Sequence, residues 1–163
     1  MSPKPWKQPP KGVVDTSVLV AGISGFRDSP PRVPSAALLR AWTESSTFVW
    51  LVTEDILSEY REVLERLHVH AAAEIVALIR EEARFVRVTR HIEGLPDRDD
   101  AAFVDCAANG DADFVVTLNP KDFPQSQLRA KVISPTEPLP RRPRTVKTRR
   151  ARLAATMKTA RTT

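Results

Sequence analysis

The sequence predicts an α/β domain with a central, mostly parallel sheet. Short runs of β-branched and apolar residues alternate along the chain with longer segments whose apolar residues recur about every 3.6 positions. Strands separated by helices run parallel, and helices cover both faces of such a sheet. With 163 residues, 42% of them apolar, the chain can bury one ordinary core but has little left for a second. We therefore expect one folded domain.

The first elements follow from composition. Residues 12–20, "GVVDTSVLV", predict the first strand and the turn after it. The Gly-, Pro- and Ser-rich stretch 22–35 is typical of a loop, and residues 36–45 of a short helix. The run "TFVWLVT" predicts a second strand that ends at Thr53, a residue type suited to a helix N-cap.

The helix predicted over residues 54–67, "EDILSEYREVLERL", is the most regular in the chain. It has acids in its first turn, where the helix dipole favours them. Its apolar positions follow a 3.6-residue period and define the face toward the core: Ile56, Leu57, Tyr60, Val63, Leu64 and Leu67.

The second half of the chain continues the alternation of helices and strands. Helices are predicted over residues 71–83 and 101–110, the latter following the acidic loop "LPDRDD" and ending at Asn-Gly. Strands are predicted over residues 84–89, 112–117 and, more weakly, 130–134. In such sheets ligands bind beyond the carboxyl ends of the strands.

The charge is divided along the chain. The net charge is +5, but nine Arg or Lys and no acid follow Pro138, which leaves 16 bases against 20 acids in residues 1–137. We therefore divide the chain into a flexible segment (1–11), the folded domain (12–137) and a basic, disordered tail (138–163).

Cysteine and apolar content predict the compartment. The single cysteine, Cys106, excludes an intramolecular disulfide. No apolar run is long enough to span a bilayer, and the N-terminal residues lack the apolar stretch of a secretion signal. We expect a cytoplasmic protein that does not enter a membrane.

Three acids are expected to converge at one edge of the sheet. Asp15 lies where the first strand ends, and the strand "FVVT" brings Thr117 and Asn119 to the same edge. At about 100° per residue, Glu59 lies at the border of the apolar face of its helix. Asp100 is one turn before Phe103, an expected core residue, and therefore also faces the cleft.

Such a cluster indicates a cation. Converging carboxylates repel one another unless a positive ion lies among them. Ligation by oxygen alone suits Mg²⁺ or Mn²⁺, and the chemistry natural to such an ion is phosphodiester hydrolysis.

Three segments also resemble a known family. "VVDTSVLVAG", "LSEYREVL" and "DRDDAAFVDCAANGDADFVVTLNPKDFP" are similar, in order and spacing, to the signature segments of PIN-domain ribonucleases, especially the bacterial toxins of toxin–antitoxin pairs. The resemblance covers roughly residues 12 to 135. It implies a PIN-like three-layer α/β/α sandwich, an RNA substrate, a cognate antitoxin and a homodimer.

The resemblance also implies roles for individual residues. The three catalytic and metal-binding acids would be Asp15, Glu59 and Asp100. The supporting hydroxyls that bond to the acids or to metal-bound water would be Thr16 or Ser17, and Thr117. Many relatives have a fourth acid two residues after that Thr; this chain has Asn119, with Asp122 three residues further on. An amide can ligate a cation but adds no charge, so weaker metal binding is expected.

Each assignment has a plainer alternative. Asp15 could cap a turn through Thr16 and Ser17, and Glu59 could be a solvated helix acid. Asp100 could be an ordinary acid at a helix start, with Asp97 or Asp99 as the ligand. The Asn119–Pro120 pair is also a common turn sequence.

Two functional classes compete, with a third more distant. The first is a Mg²⁺- or Mn²⁺-dependent endoribonuclease, the toxin of a toxin–antitoxin pair. The second is a PIN-like module that binds RNA or a protein partner without cutting. A phosphatase with Asp15 as nucleophile would call for a second aspartate where the chain has Ser17. Basic residues of the tail would hold RNA phosphates: Arg141, Arg142, Arg144, Arg149 and Arg150.

Overall fold

The computed structural model describes residues 8–141 and Met157, and it has the predicted α/β class. Five parallel strands form one sheet in the order β3-β2-β1-β4-β5, and with five helices they make a three-layer α/β/α sandwich. The strands are β1 (Lys11–Val14), β2 (Val49–Val52), β3 (Arg84–Phe85), β4 (Phe114–Val116) and β5 (Lys131–Ile133). The helices are α1 (Thr16–Gly25), α2 (Pro34–Ser45), α3 (Glu54–Arg66), α4 (Ala72–Glu82) and α5 (Ala101–Asn109).

The strand order reverses at β1, which places a binding crevice there. From β1 the chain adds β2 and then β3 on one side, and it returns through α5 to place β4 on the other side. Such a reversal separates the loops that leave two neighbouring strands, so a crevice opens beyond their carboxyl ends. The ends of β1 and β4 therefore flank the candidate site.

The prediction was wrong for residues 15–25. The strand and turn expected over 12–20 are a strand that ends at Val14 and the start of α1, which runs from Thr16 to Gly25. The loop expected over 22–35 is therefore confined to residues 26–33. Gly22 was taken as a loop signal, but it lies where α1 packs on α2. A Cβ added there would lie 2.3 Å from Leu39 Cδ1. The glycine permits close helix packing instead of a turn.

The other elements lie close to their predicted positions. Thr53 caps α3 as expected, its side chain accepting a hydrogen bond from Ile56 N at 3.2 Å. The strand expected over residues 84–89 is reduced to two residues, and its continuation is an irregular connector, residues 87–97. The backbone of this connector is held by side chains of α5, described below.

An aromatic cluster fills the core. Phe48, Trp50, Tyr60, Phe103 and Phe114 are each no more than 2% exposed, which confirms Phe103 as a core residue. Trp42, which contacts Trp50 edge to face, is only partly buried. Of the helices in the described part of the chain, none has the length and apolar character needed to cross a membrane.

Ordered packing extends slightly past both ends of the expected domain, residues 12–137. β1 begins at Lys11, and Leu139 still packs against the core. Arg141 is exposed. The other expected RNA-binding residues, Arg142, Arg144, Arg149 and Arg150, lie outside the described residues, as does most of the tail.

Candidate acidic site at the sheet edge

Asp15 is the residue that follows β1, and hydroxyls from two distant segments fix its carboxylate. Ser17 Oγ and Thr117 Oγ1 both donate to Asp15 Oδ2, at 2.7 and 2.9 Å. Asp15 occupies the N-cap position of α1, yet its side chain makes no capping hydrogen bond to the helix. The bond from Ser17 fits the turn expected as the plainer alternative, whereas the bond from Thr117, 102 residues away, is one that a local turn does not explain.

Glu59 is partly buried and turned toward the same edge. Its carboxylate accepts a hydrogen bond from the hydroxyl of Thr16, the first residue of α1. Burial raises the pKa of Glu59, the Thr16 hydroxyl opposes that rise, and the negative charge of Asp15 adds to it. Glu59 is thus linked to the start of α1 and is not a freely solvated helix acid.

Asp100 reaches the site from the start of α5. It ends a 3-10 turn, Arg98–Asp100, and is partly buried, whereas Asp97 and Asp99 are exposed. Burial raises the pKa of Asp100, and the charges of Asp97, Asp15 and Asp99 raise it further. The Asp97 side chain accepts from Asp99 N at 2.9 Å and so caps the turn. Asp100 is therefore the acid of this loop that is best placed beside Asp15.

Asn119, at the position of the expected fourth acid, is connected to Asp15 through hydrogen bonds of Thr117. Thr117, 2% exposed, donates to Asp15 and accepts from Asn119 N at 3.2 Å. Asn119 is exposed and lies at the start of a second 3-10 turn, Pro120–Asp122, without capping it through its side chain. Asp122 is exposed and does not contribute to the raised pKa of Glu59 or Asp100. The fourth position is therefore neutral in this chain.

The donor set suits a hard cation that keeps water ligands. Every donor is an oxygen. Burial raises the pKa of Glu59 and Asp100, and the negative charge of Asp15 adds to both rises, as expected of uncompensated carboxylates. In the described part of the chain, no three His, Cys, Asp or Glu side chains approach closely enough to form a metal site by themselves. Mg²⁺ commonly binds through one or two carboxylates and several waters, so these residues fit such an ion.

The sequence did not point to a role for two polar residues of α5, Asp105 and Asn109. Asn109 Oδ1 accepts from the backbone N–H groups of Thr89 and Arg90, at 3.0 and 3.1 Å. Asp105, 8% exposed, accepts from Ile92 N and pairs with His91 Nδ1, both at 2.8 Å. They hold the connector that leads to the acidic loop. Asp105 could have been noticed in the sequence, because it is an acid within the apolar run "FVDCAA".

A parallel α/β sheet with acids at its switch point defines the class of α/β proteins that bind a ligand at the carboxyl edge of the sheet. A model of the PIN domain family matches residues 11–121, and the chain belongs to this family. PIN domains are generally nucleases, so the match supports a hydrolase that acts on nucleic acid. A comparison with curated proteins gave no match.

Proposed function

We propose that this protein is a Mg²⁺- or Mn²⁺-dependent endoribonuclease whose catalytic residues are Asp15, Glu59 and Asp100. One observation carries the proposal: three acids from three separate segments meet at the carboxyl edge of the sheet, where hydroxyls orient Asp15 and Glu59. Burial raises the pKa of Glu59 and Asp100, and the charge of Asp15 adds to both rises. Maintaining such repulsion is unfavourable for the protein alone. It is relieved when a cation is bound, so the arrangement is explained by a ligand.

The surrounding residues prepare the carboxylates for that ion. Ser17 and Thr117 both donate to Oδ2 of Asp15, which fixes the plane of the carboxylate and leaves Oδ1 available to a ligand. Thr16 orients Glu59 in the same way. When bound, the ion supplies a water of lowered pKa and stabilises negative charge on the phosphate. Asn119 can orient a water but adds no charge, which favours one ion over two.

Cleavage of a mixed RNA pool tests this function. We expect cutting with Mg²⁺ or Mn²⁺ that a chelator stops. Asp15→Asn and Asp100→Asn should each lose more than about 100-fold in rate, because even residues that merely support metal ligands cost 10–100-fold. Asp111→Asn is the matched control: Asp111 is exposed at φ 50°, a conformation that Asn tolerates, and it should cut like the parent.

The alternative is a PIN-like module that binds RNA or a partner without cutting, and the neutral Asn119 favours it. The same assay separates the two functions. RNA binding with no cleavage under any metal condition would favour the module. Cleavage by Asp15→Asn or Asp100→Asn at the parent rate would remove that acid from the catalytic set.

We further propose that the nuclease is the toxin of a toxin–antitoxin pair, controlled through an apolar groove. The groove, of about 1220 Å³, lies between α1, α2 and α4, and it is lined by Ile23, Trp42 and Ile75. Phe26 and Leu78, which are 40% and 60% exposed, form part of its wall. An exposed apolar surface of this kind marks an interaction site. The lining also includes Pro9, just before β1, so the groove lies at the opposite end of the strands from the acids.

The groove can be tested without disturbing the site. Where a small protein is encoded immediately upstream, we expect Leu78→Asp to abolish co-purification with it, while RNA cleavage stays at the parent rate. Leu67→Asp is the control, because Leu67 is similarly exposed, at 53%, but does not line the groove. Unchanged co-purification of Leu78→Asp would exclude this surface. The homodimer implied by the resemblance stays a prediction.

A further inference from the structure

β1 separates from β2 before it separates from β4. The pairing of β1 with β2 ends at Gly12, whereas its pairing with β4 extends to Val14, and Asp15 N still donates to Val116 O at 2.9 Å. A trans peptide points its N–H and C=O in opposite directions. The carbonyl of Val14 therefore faces the β2 side, where strand pairing has already stopped. A buried carbonyl in that position needs another donor.

Tyr60 supplies that donor. Its side chain is fully buried, and its hydroxyl donates to Val14 O. The same hydroxyl accepts from Trp50 Nε1, on β2, at 3.3 Å. The hydroxyl thus bridges β1 and β2 just beyond the point where their backbone pairing ends.

Tyr60 is also connected to the segments of all three acids. It follows Glu59 in α3, and its hydrogen-bond partner Val14 precedes Asp15. Its ring lies 6.4 Å, between centroids, from that of Phe103, which is one helical turn beyond Asp100. A single buried side chain therefore lies behind the acidic cluster, and the rigid aromatic core around it limits how far the segments can shift.

We propose that Tyr60 is a positioning residue: its hydroxyl holds the end of β1 so that Asp15 lies in register with Glu59 and Asp100 for a metal ion. The metal-binding part of this inference rests on the proposed nuclease function. The structural part, that the hydroxyl fixes the Val14–Asp15 peptide, does not. Sequence periodicity had identified Tyr60 only as an apolar position of α3.

Tyr60→Phe tests the inference because it removes the hydroxyl and keeps the ring. In metal-free protein, hydrogen exchange at the Asp15 amide should become roughly three- to tenfold faster, the range expected from losing one hydrogen bond. The dissociation constant for Mn²⁺ should rise by a similar factor. kcat should fall at subsaturating Mn²⁺, while KM for RNA stays unchanged.

Trp50→Phe separates positioning from general loss of stability. It removes the indole donor and some core volume, but it leaves the bond from Tyr60 to Val14 in place. We expect a lower melting temperature with Mn²⁺ affinity within about twofold of the parent, a change smaller than one hydrogen bond gives. If Trp50→Phe weakened Mn²⁺ binding as much as Tyr60→Phe, the effect would be one of stability and the inference would fail.

A spectroscopic probe covers the case in which Tyr60→Phe does not fold. Tyr60 is the only tyrosine in the chain, so growth with 3-fluorotyrosine labels this one position. Its ¹⁹F resonance should shift when Mg²⁺ is added to the parent and stay in place in Asp15→Asn. A resonance that does not shift with Mg²⁺, in a parent that binds Mn²⁺, would contradict the proposed coupling between Tyr60 and the metal site.

The outcomes for the two proposals can be distinguished. A parent that neither binds Mn²⁺ nor cuts RNA would contradict the nuclease function, and Asp15 exchange in Tyr60→Phe would still decide the structural role. A parent that binds and cuts, with Tyr60→Phe identical in Asp15 exchange, Mn²⁺ affinity and kcat, would contradict the positioning role and leave the nuclease function standing.

Discussion

At the scale of single residues, the site combines precise hydrogen bonds with unfavourable charge. Asp15 is stabilised by two hydroxyls, and Glu59 by one. Glu59 nevertheless has a raised pKa, because burial and the neighbouring carboxylates outweigh the effect of the Thr16 hydroxyl. Burial and neighbouring carboxylates raise the pKa of Asp100 as well. The charges at this site therefore lower the stability of the metal-free protein. Binding sites are commonly less stable than the rest of a fold, because the arrangement that binds the ligand is unfavourable without it.

Asp100→Asn should make the metal-free protein more stable near neutral pH. It removes a partly buried charge that Asp97, Asp15 and Asp99 all repel. Asp100 is only partly buried, and solvent screening keeps the gain below about 1 kcal/mol, so we expect the melting temperature in chelator to rise by no more than about 2–4 °C. Adding Mg²⁺ should stabilise the parent more than the variant, because the variant has lost a ligand.

The sign of the pH dependence provides a second check on the same variant. A raised pKa means that the folded protein binds more protons than the unfolded chain between the two pKa values, so this contribution to stability falls as pH rises through that interval. The parent should therefore gain stability from Asp100 as pH falls through the interval between its raised pKa and the ordinary carboxyl pKa. Thermal melts in chelator at several pH values measure it, and identical slopes for parent and variant would contradict the assignment.

At the scale of elements, the sequence predicted what depends on local pattern. The apolar period of α3 gave its inward face, except at Leu67, which lies past the end of the helix and is 53% exposed. It also placed Glu59 at the border, where the structure has it beside Thr16. Parallel topology was enough to bring the ends of β1 and β4 together. Both inferences use only periodicity and chain direction, which a single sequence contains.

Elements that depend on tertiary contact could not be predicted in the same way. Gly22 marks a loop by local propensity, and only the approach of Leu39 explains why it lies within a helix. The sequence of the connector after β3 has no periodic pattern from which a structure could be predicted. Side chains of Asp105 and Asn109 accept hydrogen bonds from its backbone, in place of a neighbouring strand. The hydroxyl of Tyr60 likewise acquires its role from Val14, which is distant in sequence.

At the scale of the whole molecule, the functional surfaces are separated along the strand direction. The acids lie at the carboxyl edge of the sheet, and the apolar groove lies toward the opposite ends of β1 and β2. An antitoxin in the groove would therefore not need to enter the acidic crevice itself. Control from the groove would require either a segment that extends to the acids or a shift of α1, which lines the groove and begins with Thr16.

The path of the chain after β5 connects the acidic edge with the basic tail. β5 runs parallel to β4, and Thr117 N donates to Ile133 O at 3.0 Å, so the chain leaves the sheet at the same edge as the acids. Residues 1–137 carry a net charge of −4 and would repel RNA, whereas every charged residue after Pro138 is basic. Because the last strand ends at the acidic edge, we expect the basic tail to hold RNA phosphates near the crevice.

Removal of residues 142–163 tests this role for the tail. Cutting there retains Leu139, which packs against the core, and removes eight Arg or Lys residues. Each phosphate neutralised on a single strand contributes about −0.7 to the slope of log affinity against log salt, so roughly five contacts would contribute about −3.5. We expect weaker RNA binding at low salt and a flatter slope, with cleavage sites and metal requirement unchanged, because phosphate contacts carry no sequence information. A full-length control with Gln at Arg142, Arg144, Arg149 and Arg150 should lose up to about 2.8 of the slope, which separates charge from chain length. Equal slopes for truncated and full-length proteins would show that the tail does not contact RNA.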